Sequence, residues 1–203
     1  WRLQRIAFTG RLLGALFYYP PDDERTAPVI AAFHSPHWAE EWPFTAPGLD
    51  ALANRLAAAF NEEKAPLRET WQRLFIGPDQ LPAPPWGSVW LDPDNVLFGE
   101  SLLALREWMR TRGIVHLAAQ NEPEDHIGTL LMLAAWCAES GQQQYLDELL
   151  AWHMMPWLPR FLSVFRKQAN SPVYQSIGEL TTLTLHAWQA DSLIPVAEKK
   201  LWL

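Results

Sequence analysis

The sequence has very little cysteine, and what it has cannot form a disulfide bond within the chain. Cys137 is the single cysteine among 203 residues, and it lies in the apolar run 130–137, which is typical of a buried helix. A buried free cysteine behaves as a small hydrophobic residue. A lone thiol also fits a reducing compartment. The chain therefore gives no indication of a disulfide-stabilised secreted domain.

Long apolar runs are lacking as well. No uncharged apolar stretch approaches the ~18 residues that a transmembrane helix requires. Three arginines precede the apolar run 12–19, as in a secretory signal, but Pro20-Pro21-Asp22-Asp23 follows it instead of a small-residue cleavage site. We interpret this region as an amphipathic first helix. We expect a cytoplasmic protein that is not integral to a membrane.

Basic residues are outnumbered by acidic ones. The chain has 16 Lys and Arg against 23 Asp and Glu, which gives a formal net charge of −7. A net negative chain repels phosphate backbones, so we expect no nucleic-acid partner. The same charge attracts a basic partner, such as a peptide that carries arginine.

Motifs of catalytic chemistry are absent from the sequence. There is no phosphate-binding loop, dinucleotide-binding fingerprint, zinc-protease helix motif or nucleophile elbow. His34 and His37 have a ligand-like spacing, but Pro36 breaks the helix that would align them. We therefore predict no catalytic residue, no metal and no cofactor, and expect a protein that is not an enzyme.

Helical periodicity, in contrast, runs through most of the chain, and strand-like alternation is scarce. The predicted helices cover about 3–17, 22–33, 49–60, 67–76, 97–112, 123–140, 143–153, 156–169 and 172–190. Pro156 and Pro172 each fit the first turn of a helix, where no backbone N–H is needed. The pattern predicts an all-α fold, a bundle of about eight to ten helices in a single domain spanning residues 1–203.

The helical pattern has its longest interruption over residues 77–95. This segment carries five prolines, at positions 78, 82, 84, 85 and 93. Proline cannot continue a helix or a central strand. We therefore predict a long Pro-rich loop between the N-terminal and C-terminal halves. Long loops in compact domains tend to be functional, and this one is where we place a hinge.

Tryptophan is unusually abundant, with twelve in the chain. Tryptophan fills cores, but it also dominates binding hot spots. Trp71, Leu74 and Phe75 lie on one face of a predicted helix, and either core packing or ligand contact explains them. Pro84-Pro85-Trp86 forms a stiff apolar ledge that loses little entropy on binding. Trp86 is equally well explained as a residue whose packing holds the loop in place.

An acidic segment, residues 121–126, precedes a strongly apolar helix. In one interpretation it only starts that helix, with Asn121 or Glu122 as the cap and Pro123 at the first helical position. In the other, its side chains form a site for guanidinium groups, which carboxylates bind in bidentate fashion. The residues of that site are Glu122, Glu124, Asp125 and the hydrogen-bonding His126.

Seven segments, in order along nearly the whole chain, carry a resemblance to a known family. They are 11–19 (RLLGALFYY), 71–78 (WQRLFIGP), 84–92 (PPWGSVWLD), 96–99 (VLFG), 121–126 (NEPEDH), 150–153 (LAWH) and 194–196 (IPV). Together they resemble the DmsD branch of the TorD family of redox-enzyme maturation proteins. Residues 27–65 depart most from the family pattern.

The resemblance implies an all-helical cytoplasmic chaperone. Such proteins bind the twin-arginine leader of a molybdenum-cofactor enzyme and delay its export by the Tat pathway until the cofactor is loaded. The implied client is the catalytic subunit of dimethyl sulfoxide reductase or a close paralogue, and components of the Tat translocase are further implied partners. The implied leader-binding residues are Trp71, Leu74, Phe75, Pro85, Trp86, Gly99, Asp125 and His126. We expect the apolar ones to supply most of the affinity and the acidic segment to supply selectivity.

Two alternatives stay open on the sequence alone. The client could be a different redox enzyme, such as a nitrate- or selenate-reductase subunit. The chain could be a small helical enzyme or a nucleotide-binding protein. Family members have been linked to guanine nucleotides, although the absence of a phosphate-binding loop argues against this for the present chain. Domain-swapped dimers also occur in the family, and a hinge at 77–95 would permit one.

Overall fold

Helices make up the regular structure of the chain. The computed structural model describes residues 1–115 and 122–203, and within these ranges it contains helices and one isolated backbone bridge but no sheet. The helices are α1 (Arg2–Tyr18), α2 (Ala27–Ala32), α3 (Trp38–Glu41), α4 (Leu49–Glu62), α5 (Leu67–Phe75), α6 (Gly87–Leu91), α7 (Glu100–Thr111), α8 (Ile127–Glu139), α9 (Gln143–Leu149), α10 (Leu158–Gln168) and α11 (Pro172–Ala190). The all-α prediction is confirmed.

Helices α1 and α8 pair closely and form the centre of the bundle. Glycines permit the close approach: an added Cβ at Gly14 would lie 2.5 Å from Met132 Cγ, and one at Gly128 would lie 2.8 Å from Tyr18 Cβ. Helix α8 is apolar on nearly every side because α1 and the surrounding helices cover it. Its N-terminus, where the acidic segment lies, is therefore held against a rigid element.

Aromatic rings fill the core between α1, α5, α10 and α11. Phe17, Phe75 and Phe165 lie with ring centroids 5.7 to 6.0 Å apart, and Phe161 and Tyr174 extend the cluster. Aromatic pairs of this kind contribute roughly 0.5–1.5 kcal/mol each beyond the area they bury. The cluster fixes α5 in place beneath the Pro-rich segment.

The Pro-rich segment 77–95 contains a helix that the sequence does not predict. Helix α6 covers Gly87–Leu91, and both Val89 and Trp90 are buried. The Trp90 indole donates to the carbonyl of Pro84 at 2.8 Å, which folds the prolines back over the helix. The expectation of a helix-free loop is therefore wrong for these five residues. The expected hinge at 77–95 stays a prediction.

Four helix starts also differ from prediction by two residues or more. Helix α2 begins at Ala27 and not at residue 22, and α7 begins at Glu100 and not at residue 97. Helix α8 begins at Ile127 and not at Pro123, and α10 begins at Leu158, with Pro159 and not Pro156 in its first turn. Before α10, a π-helical turn over Leu150–Met154 prolongs α9. Within the described ranges, no helix is long and apolar enough to cross a bilayer.

Candidate functional site

The Pro-rich segment and the acidic segment meet at a short antiparallel bridge. Trp86 pairs with His126. Gly87 N donates to Asp125 O at 3.1 Å, and Ile127 N donates to Pro85 O at 2.9 Å. Two segments that the sequence singles out separately are therefore adjacent in space.

Asp125 is the buried carboxylate of this junction. Only 4% of the residue is exposed, and its Oδ2 accepts hydrogen bonds from both the backbone nitrogen and the hydroxyl of Ser88, each at 2.7 Å. Its Oδ1 has no hydrogen-bond partner among the residues that the structure describes. Burial raises the pKa of Asp125, although the two Ser88 hydrogen bonds oppose that shift. The site thus retains one unused acceptor in a low-dielectric environment.

The two glutamates of the acidic segment have different partners. Glu122 Oε1 accepts from the Trp86 indole at 2.5 Å, and burial raises the pKa of Glu122. Glu124 Oε2 accepts from Arg106 Nε at 2.6 Å. A guanidinium from the chain itself therefore already occupies Glu124, whereas Glu122 and Asp125 lie beside Trp86 and line the junction.

His126 is the N-cap of α8. Its Nδ1 accepts a hydrogen bond from Gly128 N at 3.0 Å, which leaves the ring proton on Nε2. Burial lowers the pKa of His126 to about 3, so the ring is neutral at pH 7. Its ring contacts those of Tyr18 at 5.4 Å and Trp86 at 5.8 Å.

The predicted capping arrangement at this helix is consequently wrong. Neither Glu122 as cap nor Pro123 at the first helical position matches a helix that starts at Ile127. The other predicted cap, Asn121, lies outside the described residues. The start is displaced because Pro85 accepts the Ile127 N–H and His126 accepts the Gly128 N–H.

The predicted apolar face of α5 points into the core. Trp71, Leu74 and Phe75 are 8%, 0% and 3% exposed. Phe75 contacts the His126 ring at 6.4 Å, so α5 supports the junction from beneath. Their burial fits the core-packing interpretation, and a ligand would reach these side chains only after α5 moved.

Gly99 joins the junction indirectly, through residues that the sequence did not single out. A Cβ at Gly99 would lie 2.3 Å from Asp92 Oδ2. Asp92 accepts from the Ser101 hydroxyl at 2.7 Å, and that hydroxyl also lies 3.4 Å from Ser88 Oγ. Ser88, Asp92 and Ser101 connect Gly99 to Asp125. Only the local pattern of small polar residues at the ends of α6 and α7 signals them in the sequence.

An exposed apolar patch adjoins the acidic segment. Its members are Val96, Leu97, Phe98 and Leu103. The Arg106 guanidinium lies 5.6 Å from the centre of the Phe98 ring while it bonds Glu124, so the patch and the acidic segment are neighbours. Carboxylates beside exposed apolar surface can bind a ligand that is both cationic and hydrophobic. In the described ranges, no group of three or more His, Cys, Asp or Glu could hold a metal ion.

Comparison with known proteins agrees with this architecture. The family model described as nitrate reductase delta subunit matches residues 43–163. The Tat proofreading chaperone DmsD of Salmonella typhi is 54% identical over 202 residues, covering 98% of each chain. The DmsD chaperone of Salmonella typhimurium is 52% identical with the same coverage. A solved structure from Archaeoglobus fulgidus, of a candidate redox enzyme maturation protein, matches with a TM-score of 0.51 at 17% identity, over 89% of this chain and 93% of that one.

The fold is thus that of a redox enzyme maturation protein. The chain belongs to the TorD family, in its DmsD branch. The resemblance drawn from the seven sequence segments is confirmed.

Proposed function

We propose that this chain binds the twin-arginine leader of a redox-enzyme precursor in the cytoplasm and delays Tat export until the cofactor is loaded. The names of its Salmonella relatives, Tat proofreading chaperones, support this role. The observation that carries the proposal is the junction itself. There Asp125 Oδ1, which has no partner among the described residues, lies near Glu122 and the half-buried Trp86, and exposed apolar surface adjoins Glu124.

The leader's arginines are assigned to the carboxylates of the junction. A guanidinium has five donors in a planar fork, which matches carboxylate oxygens that still have acceptor capacity. A partly desolvated pair of this kind contributes roughly 1.5–3 kcal/mol. Asp125 and Glu122 therefore recognise the arginines, and Glu124 takes part by exchanging its Arg106 partner for the leader's guanidinium.

The hydrophobic part of the leader is assigned to the neighbouring apolar surface. Micromolar binding requires about 8 kcal/mol. Burying on the order of 400 Å² of apolar surface supplies ~10 kcal/mol before ordering costs, more than one ion pair can give. Trp86 and the patch at 96–98 offer this surface as the chain stands. Trp71, Leu74 and Phe75 would add to it if α5 shifts on binding.

Pro85, Gly99 and His126 are assigned positioning roles. Pro85 accepts the first amide of α8, and His126 caps the same helix. Gly99 lets Asp92 approach the start of α7, which places Ser101 beside Ser88. These residues set where Asp125 lies and contribute little contact area of their own.

The proposed client is the catalytic subunit of dimethyl sulfoxide reductase or a paralogue, and a nitrate- or selenate-reductase subunit is the alternative. Titration calorimetry with a panel of synthetic leaders tests both whether the chain binds a twin-arginine leader and which client it serves. We expect micromolar binding to at least one twin-arginine leader, and the tightest leader identifies the client. Binding to none of the panel would overturn the proposed function. Contact with Tat translocase components is a separate proposal, tested by capture with the leader present and absent.

Nucleotide binding has weaker support. A cavity of about 660 Å³ lies between α4, α10 and α11 and is lined by Arg55, Arg166 and Glu179. Both arginines pair with Glu179, at 2.8 and 3.8 Å, so their charges are already compensated. This arrangement favours a structural ion cluster over a phosphate site.

A further inference from the structure

Residues 197–203, here called the tail, have no regular secondary structure and lie across α6 and the π-helical turn. Ala197 N donates to Ala151 O at 2.9 Å, and Trp202 N donates to Trp90 O at 2.8 Å. Asn95 Nδ2 donates to Trp202 O at 3.2 Å. Main-chain hydrogen bonds of this kind are how folded domains bind extended peptides, because they do not depend on the peptide's side chains. The tail is therefore docked in the manner of a peptide ligand.

The order of residues in the tail matches the chemistry of a twin-arginine leader. Lys199 and Lys200 are adjacent cations, and Leu201-Trp202-Leu203 follows as an apolar run. A twin-arginine leader likewise has two adjacent cations followed by a hydrophobic stretch. Leu201 packs against the edge of the core, so the apolar part is partly buried.

The first cation of the tail lies over the floor of the proposed leader site. Lys199 Nζ donates to Trp152 O at 2.8 Å, and Lys199 lines a small cavity of about 10 Å³ together with Ser101, Asp125 and His153. Asp125 is 4% and His153 9% exposed. Asp125 Oδ1 and His153 Nε2 both lack a hydrogen-bond partner among the described residues. Lys199 therefore lines the same cavity as Asp125 and His153 but forms no hydrogen bond with either of them.

An arginine fits this position better than the lysine that occupies it. An ammonium group is a compact point charge, whereas a guanidinium presents several donors in one plane. A guanidinium could donate to the Trp152 carbonyl and still reach an unused acceptor in the cavity. Burial lowers the pKa of Lys199, and the charge of Asp92 opposes that shift. A group that stays charged when buried, as arginine does, is favoured there.

We propose that the tail is an intramolecular placeholder for the leader. It lies over the small cavity lined by Asp125 and His153, here called the groove, and bonds the neighbouring Trp152 carbonyl. Lys199 stands where the first leader arginine binds, and the leader displaces the tail on binding. This inference rests on the proposed function and adds the location of the groove and its resting occupant. Displacement lowers the apparent affinity for the leader by the fraction of molecules in which the groove is open.

Two tail variants test the competition. Lys199→Ala and Trp202→Ala each weaken tail docking, and each should bind a synthetic twin-arginine leader about threefold to tenfold more tightly than the wild type. The matched controls are Lys64→Ala, which removes an exposed positive charge in the turn between α4 and α5, and Trp136→Ala. Trp136 is 40% exposed against 42% for Trp202. The controls should leave the affinity unchanged.

A third variant should shift the affinity in the opposite direction. Replacing the pair by arginines, Lys199→Arg with Lys200→Arg, makes the tail a closer copy of the leader, so the added leader should bind severalfold more weakly. A tail with only a structural role would not produce opposite shifts for the alanine and arginine variants. Hydrogen exchange gives an independent readout, since the amides of Ala197 and Trp202 should exchange severalfold faster when saturating leader is added to the wild type.

The outcomes separate the two proposals. If the wild type and the variants bind a given leader with the same affinity and the tail amides stay protected, the placeholder proposal is overturned while leader binding stands. If the alanine variants bind more weakly, the tail is part of the site and the placeholder is likewise overturned. If neither wild type nor variants bind any leader, the proposed function fails and takes this inference with it.

Discussion

Ser88 donates two hydrogen bonds to the same oxygen of Asp125, one from its backbone nitrogen and one from its hydroxyl, both at 2.7 Å. This relationship fixes Asp125 Oδ2 to the start of α6 and leaves Oδ1 without a partner among the described residues. Burying a carboxylate with only one oxygen hydrogen-bonded reduces the stability of the fold, because the other oxygen loses its hydrogen bonds to water. A guanidinium ligand would restore a hydrogen bond to Asp125 Oδ1 and so recover that stability.

Leu74→Ala should mainly reduce the stability of the fold, whereas Trp86→Ala should mainly reduce the affinity for the leader. Leu74 is fully buried, so its truncation should lower the free energy of unfolding by about 2–5 kcal/mol. Trp86 is half-buried at the junction, so its truncation should weaken leader binding at least tenfold, about 1.4 kcal/mol or more, with a smaller loss of stability. Urea unfolding and calorimetry measure the two effects. A folded Leu74→Ala protein that binds more weakly than Trp86→Ala would place the leader on α5 instead.

His126→Asn should remove part of the acid sensitivity of the fold. The folded pKa of about 3 lies below the ordinary histidine value of 6.5, so the unfolded chain binds the extra proton. The stability this group contributes is fully present above pH 6.5 and is lost as the pH falls towards 3. Between pH 7 and 5.5 the loss amounts to about 1 kcal/mol.

The comparison of variants isolates that contribution. Asparagine is a good helix cap, so His126→Asn keeps the start of α8 and flattens the dependence of unfolding free energy on pH. Exposed His186→Asn is the control and should follow the wild type, because its side chain lies in solvent in both states. The buried acids Asp125 and Glu122 act in the opposite direction and are common to all three proteins. Identical pH dependence in all three would contradict a neutral, buried His126.

Gly99→Ala should destabilise the protein through Asp92. The new Cβ would lie 2.3 Å from Asp92 Oδ2, which forces the carboxylate away from Ser101. We expect a loss of about 1–3 kcal/mol in the free energy of unfolding. In an Asp92→Ala background the same substitution should cost much less, because the clashing atom is gone. Additive effects in that double-mutant cycle would show that Gly99 is needed for another reason.

Sequence periodicity is sufficient for the longer helices but not for their ends. The apolar repeat places α8 correctly in the chain, whereas its first residue depends on Pro85 and His126, which are 41 positions apart and meet only in the fold. Helix α6 escaped prediction because five residues among prolines carry too little periodicity. The burial of Val89 and Trp90 against the core stabilises it instead.

The composition of the site was likewise predictable only in part. Trp86, Asp125 and His126 were singled out from the sequence and lie together. The direction of the α5 face was not decidable, because an apolar stripe looks the same whether it meets a core or a ligand. Ser88 and the tail were missed, since a serine and a short Lys-Lys-Leu-Trp-Leu run have no distinctive pattern until their contacts are seen.

The central claim is that Asp125 and its neighbours recognise guanidinium groups. Calorimetry of the wild type and Asp125→Asn, each with a twin-arginine leader and its twin-lysine counterpart at two salt concentrations, tests it most directly. We expect the wild type to prefer arginine by about tenfold, roughly 1.4 kcal/mol. Asp125→Asn should lose most of that preference and show a flatter salt dependence. Equal affinity of the wild type for both leaders would contradict the account.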